Sequence, residues 1–183
     1  RVASDWTICD HYFSGILSST FPNRVYMHAG QTDRNSNTFD ISKLPTVWDS
    51  LAAGGYSGRY YFHDEPITAL WGAKHLGITR QYQQFKLDAA AGRLPNVAYI
   101  DPAFLGESGG ISKDDHPLAD IRDGQALLGD IYETLRSSPQ WSKALLIINY
   151  DEWGGFYDHV EPPFAPVSAA EVEATGKIGR AHV

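Results

Sequence analysis

Residues 143–164, "KALLIINYDEWGGFYDHVEPPF", place a continuous apolar run directly before a cluster of ionisable side chains. The run 144–150 is apolar on both faces, which is typical of an interior strand in a parallel sheet that is covered by helices. Asp151 and Glu152 would then follow the carboxyl end of that strand, where such sheets bind their ligands. A Gly-Gly pair two residues later would let the backbone turn sharply there. The stretch therefore predicts an α/β fold with its chemistry at the end of a strand.

The sequence before this stretch alternates helix-like and strand-like segments. In chain order, the predictions are a helix in 46–55, a strand in 58–63, a helix in 80–95, a strand in 96–100 and a helix with Ile121, Leu128, Ile131, Tyr132 and Leu135 at helical spacing. Asp101 follows the second strand. Such alternation predicts an α/β sandwich around a mainly parallel sheet.

Composition narrows the class of protein. The chain has 183 residues, of which 43% are hydrophobic, so it can bury a core. Its net charge of -7 gives no basic surface for nucleic acid and leaves room for a bound cation. Cys9 is the single cysteine, which excludes an intrachain disulfide, and we expect it to be a small buried residue. No apolar window is long enough for a transmembrane helix, which needs roughly 18 residues.

The carboxylates after the apolar run are joined by Asp158 and His159. Together, these oxygen and nitrogen groups suit a divalent metal ion or acid/base catalysis. The alternative is a solvated acidic loop with an ordinary Gly-Gly turn. The additional Asp-His pair at fixed spacing favours a functional site.

A second set of ionisable residues lies in 112–125, "SKDDHPLADIRDGQ". Asp120 is expected to cap the third helix, because carboxylates stabilise the positive end of a helix. The same explanation does not extend to His116, whose charge would be unfavourable there. His116 is therefore predicted to be a ligand or a phosphate contact.

The third stretch is 18–30, "SSTFPNRVYMHAG", in which Thr20 comes just before a proline that suits a first helical turn. The Thr20 hydroxyl would lie at a helix N-terminus, a position that attracts anions. One interpretation is a capping threonine without chemistry. The other is a nucleophile that attacks phosphorus, with a metal ion activating the hydroxyl and Asn23 holding phosphoryl oxygens.

The remaining histidines and aromatic residues are predicted to be structural. Hydrogen-bonded structural roles are expected for His11, His28, His63 and His75. Core or pocket-wall positions, rather than a cation-binding cage, are expected for Tyr60, Tyr61, Phe62 and Trp71.

Taken together, "TFPNR", "DDHPLADIRDGQ", "SPQW" and "YDEWGGFYDHVEPP" resemble the motifs of a known family. It is the family of bacterial and plant phosphoesterases that includes the non-haemolytic, phosphatidylcholine-preferring phospholipases C and related acid phosphatases. The resemblance runs from about Asp10 to Pro163. Threonine at position 20, followed by Pro-Asn-Arg, is similar to the phospholipase C branch rather than the acid phosphatase branch.

The resemblance implies an alkaline-phosphatase-like three-layer α/β sandwich around a mainly parallel sheet, and hydrolysis of phosphoric esters through a covalent phospho-threonine. It implies a divalent metal ion, a phospholipid or other phosphate-ester substrate, and a secreted or periplasmic location. The implied roles are Thr20 as nucleophile and metal ligand, Asn23 and Asp115 as substrate contacts, Asp151 and Glu152 as metal ligands, and His116 and His159 as catalytic residues near the leaving group. The division of labour between the two histidines stays open.

Two alternatives to a phospholipase C also stay open: a phosphomonoesterase of the same superfamily and a catalytically inactive chain. The family's early E-N-R-S-F-D-H motif has no match in residues 1–183. We therefore expect residues 1–177 to be a partial catalytic domain, incomplete at both ends and inactive by itself. Residues 178–183 resemble a translated sequencing adapter, so we expect them to be foreign to the protein.

Overall fold

The computed structural model describes residues 2–164 and 166–176. The chain forms two compact units: a terminal unit, made of Arg1–Thr38 and Asn149–Val183, and a central unit, Phe39–Ile148. The prediction of a single partial domain over 1–177 stays a prediction. The foreign tail expected at 178–183 lies outside the described residues.

Helices and strands alternate through the central unit, as the sequence predicts. The α-helices are α1 (Val2–Asp5), α2 (Thr20–Ala29), α3 (Val47–Ala53), α4 (Tyr82–Ala90), α5 (Ile121–Arg136) and α6 (Ala169–Thr175). The strands are β1 (Gly58–Phe62), β2 (Thr79–Gln81) and β3 (Val97–Ile100), and short 3-10 helices occupy Ile67–Trp71, Glu107–Gly109 and Trp141–Lys143.

The sheet of the central unit is parallel throughout its described strands, in the order β2-β1-β3. Tyr60 of β1 pairs with Thr79 of β2 on one side and with Tyr99 of β3 on the other. The parallel α/β fold is therefore confirmed. Strand β2 is a departure, because the sequence predicts a helix from Arg80, whereas the helix begins at Tyr82.

Helices cover both faces of this sheet. Successive residues of β1 point to opposite faces, so Tyr60 and Tyr61 pack against different helices. Tyr61 is fully buried and packs with Phe85 of α4 in a core to which Leu127, Ile131 and Leu135 of α5 also belong. On the other face, the Tyr60 ring stacks on Tyr99 and meets Trp48 of α3 edge to face. The three-layer arrangement and the core positions of Tyr60, Tyr61 and Trp71 are confirmed.

Local signals in the sequence fix the helix ends of this unit. Thr46 and Asp49 form a reciprocal capping box at the start of α3. Asp120 accepts a hydrogen bond from the Arg122 backbone N–H at the start of α5, so the predicted cap is confirmed. Asp101 directly follows β3, is fully buried, and donates its backbone N–H to the Tyr61 carbonyl.

The strand predicted over 144–150 is wrong. No strand is assigned there, and the side chains of Leu145 and Ile147 are 84% and 70% exposed. An apolar run becomes an interior strand only where neighbouring strands and covering helices accept it, and the described sheet ends at β2 and β3. Leu146 packs against the core of the central unit. As a consequence, Asp151 and Glu152 do not follow a strand of the described sheet.

The terminal unit is built around α2, which buries Val25 and His28. Gly15 lets the chain pass the Tyr26 ring, since a Cβ atom there would lie 2.6 Å from the ring. Cys9 is exposed, so the prediction of a buried residue is wrong; its segment has no helix or strand to cover it. Among the described residues, no helix is both long and apolar enough to cross a membrane.

Candidate phosphoesterase site

Thr20 is the first residue of α2, so its side chain lies at the positive end of that helix. Ser19 is the N-cap residue, and the interpretation of Thr20 as the capping threonine is therefore wrong. Thr20 is half-buried, and within residues 2–164 and 166–176 its hydroxyl has no hydrogen-bond partner. A hydroxyl that is not committed to the fold is available as a nucleophile.

Asn23 supports the loop that leads into α2. Its side chain is 1% exposed and uses both ends of its amide: Oδ1 accepts from the Ile16 N–H at 3.0 Å, and Nδ2 donates to the carbonyls of Ser18 and Ser19. In this structure Asn23 fixes the backbone on both sides of the turn before Thr20. The direct phosphate contact expected of Asn23 stays a prediction.

Arg24 forms an ion pair that residue type and spacing do not predict. Its guanidinium Nε lies 3.8 Å from Asp151 Oδ2, and its side chain is 7% exposed. Residues four apart share one face of a helix, so Arg24 lies on the face that carries Thr20. The ion pair thus connects the Asp151 segment to α2, the helix that begins with the candidate nucleophile. The signal was the arginine that closes "TFPNR".

The carboxylates of Asp151 and Glu152 are held differently. Glu152 Oε2 accepts the Gly154 N–H at 2.8 Å, which closes a tight turn in which Gly154 and Gly155 have φ of 64° and 82°. The predicted Gly-Gly turn is confirmed, and it needs glycine at both positive-φ positions. Asp151 Oδ2 is buried and has no hydrogen-bond partner among the described residues, although it faces Arg24.

The donors fit a hard divalent cation in kind. Two carboxylates and a hydroxyl are oxygen ligands, and a buried carboxylate oxygen that lacks a hydrogen bond is a suitable first ligand. Within the described residues, no group of three or more His, Cys, Asp or Glu side chains is arranged around one point. With one or two carboxylates as protein ligands, a magnesium-like ion would take most of its coordination from water. The divalent metal ion therefore stays a prediction.

Asp158 and His159 follow the same turn and are both exposed. They belong to the terminal unit with Thr20, Asp151 and Glu152, but no hydrogen bond or ion pair of His159 is present among the described residues. The catalytic role expected of His159 stays a prediction.

Asp115 and His116 lie in the central unit, just before α5. Asp115 has a positive φ of 60°, and its carboxylate packs against Gly124 so closely that a Cβ there would overlap it. His116 Nδ1 is 3.0 Å from the Pro117 carbonyl, and Nε2 is 4.0 Å from Glu107 Oε2. The catalytic role expected of His116 and the substrate contact expected of Asp115 stay predictions.

The structure therefore groups Thr20, Asn23, Asp151 and Glu152 in one unit and adds Arg24 to them. Asp115 and His116 belong to the other unit, and their approach to Thr20 stays a prediction.

Two further histidines have the structural roles that the sequence suggests. His63 Nδ1 lies 2.8 Å from the Asp101 carbonyl, and His75 Nε2 lies 3.3 Å from Thr46 Oγ1. Burial lowers the pKa of both imidazoles, so they are neutral in the fold at neutral pH. His28 is buried in α2, and His11 is exposed near Phe13.

Comparison with known proteins gives a consistent result. The profile of the Phosphoesterase family matches residues 1–182. Non-specific phospholipase C6 of Arabidopsis thaliana is 36% identical over 178 residues, which cover 91% of this chain and 34% of that protein. Non-specific phospholipase C1 of the same plant is 38% identical over 173 residues, covering 89% of the chain and 32% of the relative.

A more distant bacterial relative extends the same pattern. Phospholipase C B of Mycobacterium tuberculosis (strain ATCC 25618 / H37Rv) is 28% identical over 199 residues, covering 90% of this chain and 37% of that protein. The chain thus spans about a third of the length of the curated relatives that it matches. With a family profile over nearly its whole length and several relatives above 30% identity, the chain belongs to the Phosphoesterase family.

Proposed function

We propose that this chain carries the nucleophile of a phospholipase C-type phosphodiesterase that acts on glycerophospholipids. The observation that supports this most is the uncommitted Thr20 hydroxyl at the N-terminus of α2, the helix whose Arg24 pairs with Asp151. The relatives are named phospholipases C, and a phospholipid is a phosphoric diester, which suits a cationic and oxygen-rich site.

In the proposed reaction, Thr20 Oγ1 attacks the phosphorus atom and gives its proton to solvent water. The bond from phosphorus to the diacylglycerol oxygen breaks, and that oxygen takes up a proton from His116 or His159. The product is a phospho-threonine that still carries the head group. Water then attacks this phosphorus, releases the phosphorylated head group and restores the hydroxyl.

The chain's own residues divide the remaining work. Arg24 offers positive charge beside the phosphate and, at the same time, balances Asp151. The N-terminal turn of α2 adds its positive end to the same place. Asp151, Glu152 and Thr20 would hold the divalent metal ion, which when bound supplies charge to stabilise the phosphoryl oxygens and to favour the alkoxide.

The test uses a chimera, because the chain spans about a third of its relatives' length. Residues 1–177 replace the matching segment of the 36% identical plant phospholipase C, and release of diacylglycerol and phosphorylated head group is measured. Thr20→Ala is expected to lower kcat by roughly three to six orders of magnitude, because bond formation to phosphorus is lost. Ser19→Ala is the matched control, since the Ser19 side chain makes no capping hydrogen bond.

Three results would change the proposal. Turnover by Thr20→Ala close to that of the unmutated chimera would remove the nucleophile assignment. A collapse of activity in Ser19→Ala would show that the segment tolerates no change, so Thr20 would carry no special role. Preference for a phosphomonoester over the diester would replace the phospholipase C by a phosphatase.

A further inference from the structure

The first turn of α2 is capped by a side chain that is distant in the sequence. An N-cap side chain normally accepts from the N–H of the second or third helical residue. Ser19 makes no such bond, and Pro22, the third residue, has no N–H to offer. The second residue, Phe21, donates instead to Asn37 Oδ1 at 2.7 Å, sixteen positions further along the chain.

This cap completes a clamp around Thr20. On one side, Asn23 ties the carbonyls of Ser18 and Ser19, which precede Thr20. On the other side, Asn37 holds the N–H of Phe21, which follows it. The backbone of Thr20 is thus fixed by two asparagine side chains, whereas its own hydroxyl stays uncommitted.

The segment that presents Asn37 is itself anchored. Ser18 Oγ donates to the Asn35 carbonyl at 2.6 Å, and the buried Arg34 donates from Nη1 to the Thr38 carbonyl at 2.7 Å. Asn35 Nδ2 donates to the carbonyl of Thr175 in α6 at 3.2 Å. Although Asn37 is exposed, its backbone is therefore held on both sides, and its side-chain oxygen is kept at the start of α2.

We infer that Asn37 is a positioning residue for the nucleophile: by capping Phe21 it holds the Thr20 hydroxyl in line with the phosphorus atom. This inference rests on the proposed function, because it assumes that Thr20 is the attacking group. We expect loss of the Asn37 hydrogen bond to lower kcat, since a displacement of about 1 Å from attack geometry can cost on the order of 100-fold in rate.

The first test measures hydrogen exchange in the chain itself and does not need turnover. Asn37→Ala is expected to speed exchange of the Phe21 amide by about tenfold, because that amide loses its acceptor. Asn37→Asp keeps an acceptor and should restore protection. Ser36→Ala is the matched control, because Ser36 is the exposed neighbour of Asn37 and its side chain makes no hydrogen bond within the described residues. Equal Phe21 exchange in all four proteins would overturn the inference.

The second test measures kcat and KM for the phosphodiester in the chimera. Asn37→Ala should lower kcat by about 10- to 100-fold with little change in KM, because misalignment affects attack rather than binding. Asn37→Asp should recover most of kcat, yet raise KM by about tenfold, because its charge repels the anionic substrate. If Asn37 only stabilised the fold, its substitution would lower the melting temperature, but Asn37→Ala would not act on kcat while Asn37→Asp acts on KM.

Thr20→Ala separates the failure of this inference from that of the proposed function. If Thr20→Ala is inactive while Asn37→Ala matches Ser36→Ala in kcat, only the positioning role of Asn37 is refuted. If Thr20→Ala keeps its activity, the nucleophile assignment fails and the inference falls with it.

Discussion

The two units of the molecule are stabilised internally by different kinds of interaction. The central unit depends on a parallel sheet whose Tyr61 packs with Phe85 of α4 in an apolar core. The terminal unit depends on side chains that hydrogen-bond to backbone, such as Asn23 and Asn37 around Thr20. The contrast teaches that the candidate nucleophile lies in the unit where shape is set by individual polar contacts rather than by repeated apolar positions.

The largest expected effect breaks the central unit. Phe85 is fully buried between Tyr61 and Tyr82, so Phe85→Ala should lower the free energy of unfolding by about 3–5 kcal/mol. Leu87, in the same helix, is 54% exposed, and Leu87→Ala should change the free energy by less than about 0.5 kcal/mol. Denaturant unfolding measures both, and equal effects would mean that α4 does not pack on the sheet as described.

A smaller effect is expected at the ion pair of the terminal unit. Arg24→Met leaves Asp151 without its partner and should cost about 1–2 kcal/mol, below the value for fully buried pairs because Asp151 is 24% exposed. Adding Asp151→Asn should recover part of this loss, since no unpaired carboxylate remains. A double mutant that is simply additive would show that the pair contributes no coupling.

Sequence patterns captured the central unit because its helices and strands repeat apolar residues with a fixed period. Helix starts at Thr46 and Asp120 agree with the sequence, because both residue types favour the N-cap position and their side chains accept hydrogen bonds from nearby backbone amides. The three-residue β2 was missed, because so short a strand has no period and its last residues read as a helix. The run 144–150 was misread, because apolar character alone does not say which partners will cover it.

The candidate site was predictable only in part. Thr20 and Asp151 stood out by residue type and motif, and the structure places both in one unit. Arg24 carried a signal in the same motif, but its pairing with Asp151 joins segments more than a hundred residues apart. Asn37 carried none, since an exposed asparagine in a loop is ordinary until its bond to the Phe21 amide is seen.

Two glycines of α5 test whether Asp115 packs against this helix. Gly124 lies under the Asp115 carboxylate, so Gly124→Ala should destabilise by about 1 kcal/mol despite the better helix propensity of alanine. Gly129 in the same helix faces open space, so Gly129→Ala should stabilise by about 0.5–1 kcal/mol. Thermal unfolding compares the two, and stabilisation by Gly124→Ala would mean that Asp115 does not pack there.

The smallest expected effect is a difference in pH dependence between the units. Glu171 of α6 is 3% exposed, and burial raises the pKa of its carboxyl. The folded state therefore holds this proton to higher pH than the unfolded state. The protonated Glu171 carboxyl favours the folded state in acid, and this contribution is lost as pH rises through the raised pKa. Unfolding of wild type and Glu171→Gln from pH 4 to 7, in the range set by the ordinary carboxyl pKa, should show the wild type losing stability relative to the variant.

The central unit should behave in the opposite sense at Asp49. Although burial opposes it, hydrogen bonds from Lys74 and Thr46 lower the pKa of Asp49 to about 2. Its contribution is therefore present above the ordinary carboxyl pKa and is lost as pH falls toward 2. Asp49→Asn should remove the loss of stability at low pH. An equal loss in wild type and variant would contradict the capping interactions at Thr46.

The most direct test of the central claim is a search for the covalent intermediate on Thr20. The chimera is mixed with phospholipid, quenched in acid within the first turnover, digested and analysed by mass spectrometry. We expect the peptide containing Thr20 to carry the phosphorylated head group, and the corresponding peptide of Thr20→Ala to carry none. Rapid turnover with an unmodified Thr20 peptide, or the adduct on another residue, would contradict it.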